Sequence, residues 1–397
     1  MFERGDLMAG FDEWVTDPAL EKRALEGFIA DPARRGEPYL GRYTVWTSSG
    51  TSGAPGLYVQ DPAALATYEA LLTMRLAGQC GAQLLWRALA SSGRLAMVAA
   101  TDGHFAGVVS WERLCRLHPW LGIQSRVFSI TRPISELVAE LNDWQPALIS
   151  SYPSMLSLLG DELAQGRLRV RPLLLWSGGE ELCADEASRL RTLFGCPVFE
   201  EYGASECMNI AFSCELGALH LNADWVILEP IDRNGRPVEP GVASSDVLLT
   251  NLCNRVQPLI RYRLGDSVTM VPGLCECGCT LPRLRVEGRR DDCLRLKDEA
   301  GTRITLVPLA IESAIEDGSR VHQFQVQQVA ANHLRVRLAA PEGISHSQAW
   351  QSVRIRLEAL LAQHGTTSVR LSLDPRPPQP NPASGKLHRV QGIRHRG

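Results

Sequence analysis

Three short, almost unbroken apolar runs punctuate the first half of the chain: LAMVAA (95–100), ALIS (147–150) and LLLW (173–176). Runs this brief, closed by small or polar residues, predict strands buried on both faces of a parallel sheet. A helical pattern follows each. ALISSYPSMLSLLGDEL reads strand, turn, helix, and LLLWSGGEELCADEASRLRTLF repeats the order. That alternation predicts an α/β fold. Open α/β sheets collect ligands beyond the carboxyl ends of their strands, where the loops TDGH, SYPS and SGGE fall.

The flanking regions differ. Residues 1 to about 45 are mixed, with apolar positions at helical spacing in GFDEWVTDPALEKRALEGFIA. From about 225 to 285, DWVILEPIDRNGRPVEPG and SSDVLLTNLCNRVQPLIRYRLGDSVTMV alternate like strands with N-G and P-G turns between them. A β-rich subdomain is expected over about 210–288. After Gly288, PLAIESAIED places proline where a helix begins, and FQVQQVAANHLRVRLAA reads as a hairpin. QAWQSVRIRLEALLAQHG is an amphipathic helix ending at glycine, and SVRLSL is a further strand. The expected organisation is a large core domain of mostly parallel sheet over 1–288 and a small α+β C-terminal lid over 289–397. There is no internal repeat, and DPRPPQPNPASG is a Pro-rich, extended approach to the end.

Bulk composition narrows the class. The chain has 397 residues, room for two or three domains, with 45% hydrophobic and 21% charged residues, as in ordinary soluble proteins. A net charge of -3 gives no general pull toward nucleic acid or an anionic membrane. The basic tail KLHRVQGIRHRG is short and reads as a solvated end. MFERGDLMAGFDEW lacks the apolar run of a secretory signal, and no segment reaches the ~20 apolar residues of a membrane span, so a cytoplasmic protein is expected. In such a chain the eleven cysteines predict free thiols or metal ligands rather than disulfides.

The stretch Thr47–Gly56, TSSGTSGAPG, has the chemistry of a phosphate cradle. Ser48, Ser49, Thr51 and Ser52 offer hydroxyl donors, while Gly50 and Gly53 let backbone N–H groups approach closely. It lacks the GK[ST] ending of a P-loop, so its positive charge must come from elsewhere in the chain. In isolation a flexible Ser/Gly linker would look the same.

TSSGTSGAP, SGGE, EEYGASE, RYRLGD, GRRDD and SGKLHRV follow one another along roughly residues 40 to 390. In that order they resemble the adenylate-forming superfamily of acyl-CoA synthetases, most of all the phenylacetate–CoA ligase-like branch. The resemblance implies two steps: a carboxylate attacks the α-phosphate of ATP, and a nucleophile, often the thiol of CoA, then displaces AMP. Such chemistry needs phosphate donors, a metal for the pyrophosphate and a cation near the reacting oxygens. The resemblance implies that Ser48–Gly53 hold the β- and γ-phosphates. It implies that Lys386 swings in on the C-terminal domain to touch the carboxylate and α-phosphate, a lid motion.

It further implies that Tyr202, with Gly203, stacks near adenine, that Ser205 approaches the α-phosphate and that Glu206 holds Mg²⁺. Gly178, Gly179 and Glu180 would border the adenine and acyl pockets. Asp266 would bind the ribose hydroxyls, with Arg263 as a structural ion-pair partner. Arg289 would lie near ribose and phosphate, and Asp291 at the hinge. Tyr152, Pro153 and Ser154 sit where the family binds its acid. His104 would gate or line that pocket, or else be a satisfied loop histidine. Nearby aromatics are compatible with an aryl or arylacetic acid. A homodimer is compatible with the resemblance.

Cys214 and His220 in CELGALH, with Cys275, Cys277 and Cys279 in CECGC, offer the thiolate and imidazole that zinc favours. Some members of the branch carry a similar set, and the match implies Cys214, His220, Cys275 and Cys277 as ligands of a structural zinc, with Cys279 to spare. The chain departs from the family after GRRDD. CLRLKDEAGTRITLVPLAIE is lengthened as a strand–turn–strand, and the expected RG pair is missing. The acceptor is therefore open among CoA, a carrier-protein phosphopantetheine and an amine. A non-catalytic nucleotide-binding relative is a further reading, against which the retained Lys386, Glu206 and Asp266 argue.

Overall fold

The computed structural model describes residues 2–48, 55–90, 93–101, 103–180, 182, 184–232, 234–286, 294–298, 301–306, 308–319, 321, 323–341, 343–379 and 389–393. The chain opens with α1 (Arg4–Ala9), α2 (Phe11–Trp14) and α3 (Lys22–Ile29). The helical spacing of this region is thus split, because Asp17-Pro18 cannot continue a helix and the Thr16 N–H turns to the Val256 carbonyl instead. Strands β1 (Thr44–Thr47) and β2 (Leu57–Gln60) flank the Ser/Gly loop, followed by α4 (Pro62–Ala90).

Next come β3 (Leu95–Ala99), α5 (Ala106–Leu117), α6 (Pro119–Gln124), β4 (Ser125–Ser129), α7 (Ile134–Trp144), β5 (Leu148–Ser151), α8 (Pro153–Ala164), β6 (Leu174–Gly178), α9 (Ala184–Phe194) and β7 (Val198–Tyr202). The β-rich stretch holds β8 (Ala211–Ser213), β9 (Leu219–Leu221), β10 (Val226–Ile231), β11 (Asp246–Asn251), β12 (Leu259–Arg263), β13 (Val268–Val271) and β14 (Arg283–Val286). The C-terminal part comprises β15 (Leu294–Lys297), β16 (Arg303–Leu306), α10 (Pro308–Ser319), β17 (Phe324–Ala330), β18 (His333–Leu338), α11 (His346–Gln363), β19 (Arg370–Leu373) and β20 (Val390–Gln391).

Among the described residues, nine strands form one sheet in the order β13-β14-β9-β8-β7-β6-β5-β3-β4. From β7 to β4 every pairing is parallel, and from β7 to β13 every pairing is antiparallel. The β-rich stretch is therefore divided. Four of its strands, β8, β9, β13 and β14, continue the main sheet, while β10, β11 and β12 form a separate antiparallel sheet. The order reverses at β3, with β4 on one side and β5 on the other, which creates the crevice where such sheets take ligands.

Side-chain alternation gives the parallel half two unlike faces. Ala96, Val98, Ile149, Leu175 and Val198 pack against Leu137, Leu141, Leu156, Leu159 and Leu190 of α7, α8 and α9, closing a core. The in-register pairs bring Met97, Ser150, Trp176, Gly178 and Glu201 to the opposite face, toward α4 and α5. The C-terminal part folds around a sheet ordered β19-β18-β17-β20, with the β15–β16 hairpin beside it. It rests on the main body through Ala310, which joins the α7–α9 core, and through the His364 Nε2 contact to the Thr131 carbonyl at 3.2 Å. Among the described residues, no helix is long and apolar enough to cross a membrane.

Candidate active site

A cavity of about 1750 Å³ opens at the carboxyl ends of β3, β5, β6 and β7. Its wall brings together residues far apart in sequence: Ser48, Tyr152, Gly178, Gly179, Gly203, Ser205, Glu206 and Asp266. The volume exceeds the ~300–1,000 Å³ of ordinary small-ligand pockets, leaving room for a nucleotide and a second small molecule together.

The described ends of the Ser/Gly loop are pinched shut. Ser48 Oγ accepts the Gly56 N–H at 2.8 Å, and the Ser48 N–H reaches the Gly56 carbonyl at 3.0 Å. Gly56 is required here, because a Cβ would lie 2.6 Å from the Tyr58 hydroxyl. Ser49, Gly50, Thr51, Ser52 and Gly53 lie outside the described residues, as do Arg289, Asp291 and Lys386.

A cation unrecognised in the sequence stands at this loop. Arg4 Nη1, on α1, donates to Ser48 Oγ at 3.3 Å, and Arg4 lines the cavity. No local motif marks it, since α1 and the loop meet only in the folded chain.

The motif after β7 is fixed from several sides. The Ser205 carbonyl accepts the Trp46 indole N–H at 2.7 Å. Glu206 is buried, and its Oε1 accepts the hydroxyls of Tyr58 at 2.7 Å and Tyr262 at 2.9 Å. Burial, reinforced by the adjacent Glu206 carboxylate, pushes both phenols well up, so they remain donors. The Glu206 carboxylate is thus oriented by neutral groups, the condition under which a buried anion can still take a hard cation. Tyr202 stands behind the wall and donates its hydroxyl to Asp266 Oδ2 at 2.8 Å. Arg263 pairs with Asp246 and Glu3, each at 3.1 Å.

Gly179 has φ +81, and a Cβ there would meet the Tyr152 ring at 3.0 Å, so glycine is needed twice over. The Tyr152 hydroxyl accepts the Ala100 N–H at 3.3 Å, and burial pushes its pKa up to about 12. Glu180 is set back from the wall and caps α8 by accepting the Ser154 N–H at 3.0 Å and hydroxyl at 2.9 Å. Burial raises its pKa against those two bonds.

Of the two readings of His104, a residue of the acyl pocket or a loop histidine, the first has no support from the cavity wall, whose residues do not include it. Its carbonyl is tied to the Thr47 N–H at 2.7 Å, and its ring turns toward Phe28, with centroids 6.4 Å apart, away from the cavity wall. Burial, then the Arg35 charge, hold its pKa below the usual histidine range.

A second constellation lies in the antiparallel half. Cys214, His220, Cys275 and Cys277 gather their ligand atoms within 4.8 Å of one another. Cys214 Sγ is 3.9 Å from Cys275 Sγ, and Cys277 Sγ is 3.5 Å from His220 Nε2. A tetrahedral zinc with ordinary bond lengths separates two sulfurs by about 3.8 Å and sulfur from nitrogen by about 3.5 Å. His220 Nδ1 lies 3.1 Å from the Leu281 carbonyl, which orients the ring and leaves Nε2 for a ligand bond. Cys279 is outside the set and gives its backbone N–H to Cys277 Sγ at 3.4 Å. The cluster is compatible with zinc.

No family model matches the chain. Phenylacetate-coenzyme A ligase of Pseudomonas putida is 27% identical over 183 residues, 44% of this chain and 40% of that protein. Protein CapK of Staphylococcus aureus is 22% identical over 135 residues, 34% of this chain and 28% of that protein. The matches thus span less than half the length of either relative. Among solved structures, 2-hydroxyisobutyryl-CoA ligase in complex with 2-HIB-AMP and CoA aligns over 94% of this chain and 79% of its own, with 20% identity and a TM-score of 0.51. The fold is shared with that ligase, and the resemblance read from the motifs stands.

Proposed function

We propose that this relative of the adenylate-forming ligases activates a small carboxylic acid with ATP, releases pyrophosphate, and passes the acyl group to the thiol of CoA. The carrying observation is the convergence of Ser48, Gly203, Ser205, Glu206 and Asp266 on one cavity at the strand ends. In the first step a carboxylate oxygen of the acid attacks the α-phosphorus. The bond to the pyrophosphate oxygen breaks, and an acyl-adenylate forms. In the second, the thiol sulfur attacks the acyl carbon and AMP departs.

Ser48, with Ser49 to Gly53, would hold the β- and γ-phosphates, joined by Arg4. Ser205 would face the α-phosphate and Asp266 the ribose. Glu206 would hold Mg²⁺, which neutralises phosphate charge. Lys386 would bring the remaining cation, with Asp291 as the hinge of a lid beginning at 289 and Arg289 beside the ribose. Aromatic residues on the cavity wall, Tyr152 and Trp176 among them, support an aromatic acid. The Cys/His cluster would hold a structural zinc whose four protein ligands leave no open position for chemistry.

One observation favours a second acceptor. The β15–β16 hairpin occupies the stretch after GRRDD where the family's thioester-forming segment is expected. A carrier-protein phosphopantetheine or an amine is therefore the alternative to CoA.

ATP–pyrophosphate exchange over a panel of aryl, arylacetic and short aliphatic acids tests the first step without regard to the acceptor. Exchange is expected with one group of acids, and Lys386→Ala should abolish it while ATP binding persists. Exchange at near wild-type rate in that variant would refute the role of Lys386. Presenting CoA, a carrier protein or an amine to preformed adenylate, and weighing the product, identifies the acceptor.

A further inference from the structure

We propose that Glu201 is a specificity residue that selects acids carrying their own N–H or O–H donor, amino- or hydroxy-substituted carboxylic acids, over hydrocarbon acids of the same shape. The inference rests on the adenylation reading and names the substrate class of that same cavity.

Glu201 is next to last in β7, and its register partner on β6 is Gly178. Alternation puts it on the face of the sheet that looks toward α4 and α5, opposite to Tyr202 and the Asp266 it holds. That side of the cavity is largely apolar, with Leu72, Leu76, Met97, Leu148 and Trp176 on its wall. A carboxylate in such surroundings is costly unless it is hydrogen-bonded.

Among the described residues, the donors to Glu201 are all neutral. Trp176 Nε1 reaches Oε2 at 3.0 Å, Asn209 Nδ2 reaches Oε1 at 2.7 Å, and the Asn209 backbone N–H is a third neutral donor to the carboxylate. Among the described ion pairs none includes Glu201. Asn209 is held in place at some cost. Its φ is +54, and its carbonyl is pinned by Asn222 Nδ2 at 2.6 Å. Gly203 keeps the approach open, for a Cβ there would come within 3.3 Å of Asn209 N and 3.7 Å of Glu201 Oε1. An ionised carboxylate has about four acceptor positions. Glu201 remains on the cavity wall with capacity to accept from a bound molecule. Burial pushes its pKa up to about 7, as expected of an acid that lacks a charged partner.

A donor group on the acid would complete this set, whereas a hydrocarbon acid would leave the carboxylate desolvated and underpaired. The exocyclic amine of adenine offers the same chemistry. The position of Glu201 across the strand from Tyr202 and Asp266 assigns it to the acid.

The test uses matched pairs, benzoic against aminobenzoic and hydroxybenzoic acids and phenylacetic against hydroxyphenylacetic acid, with the full-length protein. Pyrophosphate exchange is read beside direct binding by saturation-transfer NMR. Donor-bearing acids should be preferred by about ten- to hundredfold in kcat/KM. Glu201→Ala should bring that preference toward unity, and the isosteric Glu201→Gln should cut it several-fold. The KM for ATP should move by less than about twofold, since uniform binding of the nucleotide is untouched. An unchanged preference in both variants, or none in the wild type, overturns the proposal. A parallel rise in the ATP KM for every acid also overturns it, because Glu201 would then be reading adenine. If no acid supports exchange, the adenylation reading fails on its own. Donor-selective binding that is lost in the variants would still uphold the role of Glu201, and absence of binding would end it.

Discussion

The two halves of the main sheet solve opposite problems. The parallel half ends in a large void whose carboxylates, Glu201 and Glu206, are held by indole, amide and phenol donors. The antiparallel half gathers three thiols and an imidazole within 4.8 Å of one another. Neutral donors orient an anion without cancelling it, so it stays available to a ligand. A closed four-ligand cluster consumes its own donors and gives the surrounding strands a fixed point. On the proposed reading, chemistry and bracing occupy adjoining parts of one sheet, and substitutions in each should fail differently.

The largest effect is expected at the Cys/His cluster. On the proposed zinc reading, Cys277→Ser should lower stability by about 3 kcal/mol or more and abolish zinc binding, because the metal's binding energy is lost from the folded state. Thermal melts with metal analysis read both. Cys279→Ser is the control. Cys279 contributes a backbone N–H, which serine retains, and packs at the edge of the Leu174, Phe199 and Phe212 cluster, so the change should cost about 1 kcal/mol or less. Equal losses in the two variants would mean that the cluster braces nothing as a metal site.

The same contrast governs what the sequence revealed. LAMVAA, ALIS and LLLW were legible as strands because one face packs on α7–α9 and the other carries apolar side chains onto the cavity wall, so their pattern is nearly all apolar. SRVFS was not, because β4 is the edge strand and most of its residues are only partly buried. The Cys/His set was legible because four ligands sit in two short segments. Glu201 lay in plain view inside EEYGASE, yet only the β6–β7 register shows which way it faces. Arg4 carried no signal, as its partner Ser48 is 44 residues away and the contact depends on packing of α1. His104 left two readings open, because only the folded chain shows it buried beside Phe28 and absent from the cavity wall.

A smaller effect is expected from Arg4→Ala. A charge-assisted bond to phosphate is worth roughly 1.5–3 kcal/mol, so the KM for ATP should rise about tenfold or more. The melting temperature should be almost unchanged, the reverse of the cysteine variant. Arg4→Lys should recover part of the loss if charge is what matters. A variant with wild-type ATP kinetics would return Arg4 to a purely structural contact with Ser48.

The smallest effect, and the sharpest probe of the void, is the pH dependence of stability at Glu201. Its folded pKa is raised from 4.5 to about 7 by burial. A raised folded value means the native state binds the proton more tightly than the unfolded chain. The contribution is fully present below about pH 4.5 and is lost as pH climbs through about 7. Glu201→Gln cannot titrate. Relative to wild type it should therefore gain about 1–3 kcal/mol between pH 4.5 and pH 8. The open cavity side hydrates the carboxylate in part, which favours the lower end of that range. Denaturant unfolding at the two pH values gives the difference directly. A gap that does not change with pH would mean that water in the cavity already pairs Glu201. Its demand for a donor from the substrate would then be weaker than the apolar wall implies.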